Sequence, residues 1–112
     1  MTEKKFCIKK EYIRKIVSGK GACFATDRIM VDGMRVGYMY REMPDNEYDS
    51  GWRFMCGDES EAYMDNPDNM GVYDVNTLAN YDYEIVVHLE APIGSKFSRD
   101  NPLRKLMMEN SG

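Results

Sequence analysis

The residues able to do chemistry are few and scattered. One histidine, His88, stands in the run IVVHLE, and the cysteines lie in Phe6-Cys7-Ile8, Ala22-Cys23-Phe24 and Met55-Cys56-Gly57. General acid–base or nucleophilic catalysis needs such a group within hydrogen-bond reach of a partner. Here the flanks are mostly hydrophobic, which suits a packed histidine and cysteines that behave as small apolar residues. No GxSxG elbow occurs, and Gly19-Lys20-Gly21 lacks the spacing of a phosphate-binding loop. No catalytic residue is assigned, and the chain is expected not to be an enzyme.

Metal chemistry fares little better. Asp45, Glu47 and Asp49 alternate like the opening of a calcium loop, but Ser50 stands where the loop needs glycine and Cys56 where it needs glutamate. Zinc lacks a CxxC pair and a second histidine. No metal and no cofactor is therefore expected. A divalent-cation or small-ligand module built on these carboxylates, or a purely structural domain, is the alternative reading. The same acidic stretch suits protein recognition, with Asp45, Glu47, Asp49, Glu59 and Glu61 as charges and Tyr48 and Arg53 as anchors. Trp52 fits either an interface or a core, and its alternation with Phe54 favours the core.

The elements that must position these residues follow from periodicity. Ile8, Tyr12, Ile13, Ile16 and Val17 recur at helical spacing, which predicts an amphipathic helix over about 8–18 ending at Ser18-Gly19. Short apolar runs at 23–25 and 29–31, then Asp32-Gly33, predict a hairpin. After it Met34, Val36, Tyr38 and Tyr40 alternate with Arg35, Gly37, Met39 and Arg41, a half-buried strand. Residues 42–50 form a polar loop, and Trp52, Phe54 and Cys56 mark a second strand. Asp58 and Glu61 resemble a capping box for a short helix that Asn66-Pro67 stops. Val72 to Val75 is a third strand, Asn76 and Asp82 are candidate N-caps, and Gly94 to Ser98 is a terminal strand. Asn101-Pro102 opens a last helix over 103–108. Together these give one α+β domain with a mainly antiparallel sheet, its core over about 23–99 and a tail or short helix over 101–112.

Composition bounds the rest. At 112 residues the chain is one small domain. Leu, Ile, Val and Phe are scarce, so ten Met, eight Tyr and one Trp must carry much of the core. No run of about 18 apolar residues exists to span a bilayer, and MTEKKFCIKK lacks the apolar stretch of a secretory signal. An odd number of widely spaced cysteines fits a reducing cytoplasm. The net charge of −4 conceals a division: residues 1–41 hold ten basic and four acidic residues, residues 42–90 one basic and thirteen acidic, and the remainder is mildly basic. So acidic a centre suits a basic protein partner, repels nucleic acid, and offers no membrane contact. Oligomeric state is not legible.

One stretch is more specific. GYMYREMPDNEYDSGWRF, then GDES, Tyr63, DNPDN, Gly71, Tyr73, NTLANYD and PIGSKF resemble the bacterial immunity-protein-thirty-three-like family, most clearly over residues 37–99. The resemblance implies a small toxin antidote acting by stoichiometric protein binding, with no catalytic residues to carry over. Many of its signature residues are Asx, Gly and Pro, which serve turns and caps as readily as a binding site.

Overall fold

Alternation writes the centre of the sheet. In the computed structural model, which describes residues 4–109, strands β1 (Ala22–Thr26), β2 (Tyr38–Arg41), β3 (Asp49–Met55), β4 (Met70–Asp74), β5 (Lys96–Ser98) and β6 (Met107–Met108) form one mixed sheet. Their order is β4-β1-β3-β2-β5-β6. Only the β1–β3 pairing is parallel; every other pairing in the sheet is antiparallel, so the expected α+β class with a mainly antiparallel sheet is what forms.

One sheet face makes the core. Cys23 and Ala25 of β1, Met39 of β2, Trp52 and Phe54 of β3 and Phe97 of β5 all point inward and are buried. Against them pack Ile29 and Met30 of α1 (Asp27–Met30), Val75, Leu78 and Ala79 of α3 (Val75–Tyr81), and Ile85 of the 3-10 turn Tyr83–His88. Trp52 is core as its alternation with Phe54 suggests, and its indole N–H donates to the Leu89 carbonyl at 3.2 Å. The expected reliance on methionine and tyrosine is only partly met: Trp52, Met30 and Met39 are buried, but no tyrosine is, and Ile29, Val36, Val75, Leu78, Ile85, Leu89 and Leu106 make up much of the core.

Several local expectations are corrected. No hairpin forms at Asp32-Gly33. Ile29 and Met30 lie in α1, whose end is closed by Asp32 N–H on the Asp27 carbonyl and Gly33 N–H on the Ile29 carbonyl. Gly33 takes φ 77°, the left-handed value a helix C-terminus uses as readily as a turn does. The cap of α2 (Glu61–Asp65) is Ser60, accepting from the Tyr63 N–H at 3.0 Å, not Asp58. Asp74, not Asn76, caps α3, while Asp82 caps the 3-10 turn as expected. No helix forms over 103–108: a turn at Asn101 leads to Leu106, which is buried, and Met107–Met108 pair with β5. Residues 110–112 of that expected tail, and residues 1–3, lie outside the described residues.

The predicted helix over 8–18 is also absent, apart from one 3-10 turn, Lys10–Tyr12. Beyond it the segment runs to β1 as a strap across α3. Asn76 Oδ1 accepts from the N–H groups of Ile16 (2.7 Å) and Val17 (3.0 Å), and its amide donates to the Arg14 carbonyl. Asn80, one turn on, accepts from Arg14 N–H at 2.8 Å and donates back to the Arg14 carbonyl. Tyr81 Oη accepts from Ile8 N–H. These side chains supply the backbone bonds a helix would have made internally, and Ile16 and Val17 pack on the core from an extended chain. Asn76→Ala with Asn80→Ala is therefore expected to cost about 2–4 kcal/mol, at roughly 1 kcal/mol per hydrogen bond less partial rehydration. Hydrogen exchange should show amides 14–17 losing protection before those of β3.

Candidate interaction surface

The acidic loop between β2 and β3 is organised by a buried guanidinium. Asp49 and Arg53 are four residues apart in one strand, which extended chain would separate by about 13 Å. Instead the Asp49 carboxylate accepts from both terminal nitrogens of Arg53, at 2.9 and 2.8 Å. The strand bends to allow it: the β1–β3 register slips between Ala22 and Phe24, and opposite the slip Gly51 adopts φ 88°. A Cβ at Gly51 would also run into the Glu42 carbonyl, so no other residue fits there without a shift. Glu42 closes the ring, accepting from Arg53 Nε at 2.6 Å. Asp45 Oδ2 stands 4.0 Å away.

The loop backbone is pinned by the same carboxylate. Asp49 accepts from the N–H groups of Asp45 (2.8 Å) and Gly51 (2.9 Å), and Asn46 Oδ1 from those of Tyr48 (2.9 Å) and Asp49 (3.1 Å). The Arg53 guanidinium holds the Asp49 carboxyl well below the usual carboxylate range, helped by these backbone donors and opposed by burial. Arg53 itself is 2% exposed, its guanidinium 4.3 Å from the centre of the Phe24 ring. Its charge is held by its carboxylate partners.

The expected site residues thus divide. Asp45, Glu47 and Tyr48 point outward from the loop, Tyr48 at 74% exposed. Asp49 and Arg53 lie beneath them and reach no partner directly. Glu59 and Glu61 sit beyond the other end of β3. Glu59 is committed locally: it accepts from Cys56 N–H, Gly57 N–H and the Thr26 hydroxyl. Glu61 is exposed in the first turn of α2.

Beside the loop lies the sheet's second face, which the sequence reading missed. The strand alternation was visible, but the buried member of β2 is Met39, and Tyr38 and Tyr40 face the other way. Register places Val72, Phe24, Arg53 and Tyr40 in one row across four strands, with Met55 and Tyr38 in the next. Tyr38 and Tyr40 pack ring to ring at 5.6 Å, and Val72 is 64% exposed. The core helices lie on the opposite face.

Cation and catalytic chemistry find little footing. Among the described residues no group of three or more His, Cys, Asp or Glu is placed to hold a metal ion. Cys56 lines a cleft of about 300 Å³ with Arg35, Asp58 and Arg99. Burial, then the Asp58 charge, pushes its thiol upward, which disfavours the nucleophilic thiolate. His88 stacks on Phe97 at 4.1 Å, and burial lowers its pKa. No helix among the described residues is long and apolar enough to cross a membrane.

A second ionic cluster also escaped the sequence reading. Asp82 and Arg99, both with side chains 1% exposed, form a direct ion pair. Asp82 also accepts from the N–H groups of Val36 and Glu84, and Arg99 donates to the Val36 carbonyl at 2.7 Å and to Glu84 at 3.1 Å. Glu84 in turn holds Leu106 N–H. Every buried side-chain polar atom among the described residues has a partner, so this cluster is a fastening. The only sequence signal for it was Asp82 as a cap.

The chain matches no curated protein and no solved structure. A family model does match, that of the immunity protein Imm33 domain, over residues 23–107. That span takes in β2 to β5, nearly all of β1, the first residue of β6, the Arg53-centred loop and the asparagines that hold the strap, and the chain accordingly belongs to the Imm33 immunity protein family.

Proposed function

We propose that the chain is a cytoplasmic antidote that occludes a toxin by one-to-one binding, without catalysis, through the surface of the loop over residues 42–50. The observation that carries this reading is the Arg53 ring. It fixes the loop so that Asp45, Glu47 and Tyr48 are presented in one conformation. A preorganised loop loses little entropy on docking. Three carboxylates, Glu42, Asp45 and Asp49, around one guanidinium leave it net negative, which suits a basic partner such as a nuclease. Three free cysteines accord with a reducing compartment.

Titrating basic nuclease toxins with this protein, and reading residual toxin activity, tests the mechanism. Inhibition should be complete at one molar equivalent and should not deepen with time. Loss of activity at a small fraction of an equivalent would mean turnover, and no loss at several equivalents would mean no antidote function.

A further inference from the structure

The geometry points to a docking surface in two parts, the acidic loop and the sheet face beside it, at whose far end Met64 of α2 meets Tyr38 and Met55, together fitted to a basic protein surface that also carries apolar side chains. This rests on the toxin-binding reading and adds where most of the contact lies. Arg53 joins the two parts: Glu42 and Asp49 of the loop hold its guanidinium, which lies over Phe24 and stands in register with Tyr40. Around it Tyr38, Tyr40, Phe24 and Met55 are half-buried and Val72 is exposed. Contiguous exposed apolar area of this kind marks interaction sites, and tyrosine and methionine are enriched in them.

Charge selects the occupant. Glu42 and Asp45 border the patch beside Arg53, with side chains 50% and 68% exposed, Glu47 is exposed on the same loop, and Lys96, in register with Tyr40, is the one exposed cation in that row. The carboxylates repel an anionic lipid surface, and they repel the same loop of a second copy. They attract lysine and arginine, which the half-buried tyrosine rings also accept by their faces, as Phe24 accepts Arg53 within the molecule.

The test uses the full chain and a basic nuclease toxin that it neutralises in the titration above, in catalytically inactivated form, with affinity read by calorimetry. Tyr38→Lys with Val72→Lys should weaken binding by about tenfold or more, whereas Val87→Lys, on the exposed 3-10 turn of the other layer, should leave it within about twofold. Hydroxyl-radical footprinting of the unsubstituted complex reads the same surface without dependence on variant folding. Tyr38, Met55 and Val72 should be protected and Tyr83 should not. If the wild type binds and the loop charges matter, yet the tyrosine and valine changes are silent and the footprint misses this face, the inference is overturned. If the wild type does not bind the toxin at all, the antidote reading itself has failed.

Discussion

Replacing Arg99 with methionine should lower the unfolding free energy by about 3–5 kcal/mol, the usual cost of removing one member of a buried ion pair. The Asp82 carboxyl, 1% exposed, would be left with Arg35 as its one cationic partner beside the Val36 and Glu84 N–H groups. The Val36 carbonyl and Glu84 would lose donors as well. The damage should spread, because this cluster joins β5, the linker before β2, the 3-10 turn and the chain leading to β6. Asp82→Ala should cost somewhat less, because Arg99 keeps Glu84 as a partner at 3.1 Å. Changing both residues to apolar ones should cost less than the two single losses added together, since neither charge is stranded. Urea denaturation of the two single variants and the double checks this. Additive losses would mean that the pair is not coupled.

Arg53→Met should cost about 3 kcal/mol, the lower end of the same range. Asp49 keeps two backbone donors and Glu42 is half exposed, so part of the stranded charge finds other partners. The second consequence is pH dependence. The folded Asp49 carboxyl is depressed by the Arg53 guanidinium, relative to about 3.9 in an unfolded chain. A depressed carboxyl contributes stability that is present above its unfolded pKa and disappears as pH falls through the folded one. Wild type should therefore lose stability below about pH 4, and Arg53→Met should flatten that loss. Thermal melts between pH 7 and pH 2.5 measure it, and parallel curves for the two proteins would contradict the assignment.

How far these features could be read beforehand depends on how local their causes are. Strand β3 was legible because Trp52 and Phe54 alternate with Arg53 and Met55, and Asp82 was legible as a cap because a cap acts within two residues. The strap was not legible. Its hydrophobic spacing fits a helix, and what holds it extended are asparagines some sixty residues away. The Asp32-Gly33 turn misled because a glycine with positive φ ends helices as well as hairpins. Tyr38 and Tyr40 looked like the inner face because the alternation does not say which side the core takes, and Met39 fits it better.

The charge division changed most on folding. The acidic centre does not fold into one acidic face, because basic residues from both ends of the chain return to it. Arg28 pairs with Asp58, Lys20 with Glu90, and Arg35 and Arg99 with Asp82 and Glu84. Asp49 goes to Arg53. What the loop still presents to solvent is Asp45, Glu47 and half of Glu42, a smaller and better-defined charge than the sequence suggested. A charge-reversal test must accordingly spare Asp49, whose loss would unmake the loop instead of its surface.

The association rate constant between this protein and its toxin, measured for wild type and for Asp45→Lys with Glu47→Lys, is the most direct trial of the loop as the binding surface. Exposed charges at an interface act chiefly on encounter, and salt screens them over about 10 Å. The wild-type rate should fall steeply as salt rises from low to physiological strength. The variant, with folding checked by its melting temperature because Asp45 lies 4.0 Å from Arg53, should associate about tenfold or more slowly at low salt, with little further dependence on ionic strength. Equal rates and equal salt slopes for the two proteins would contradict the account.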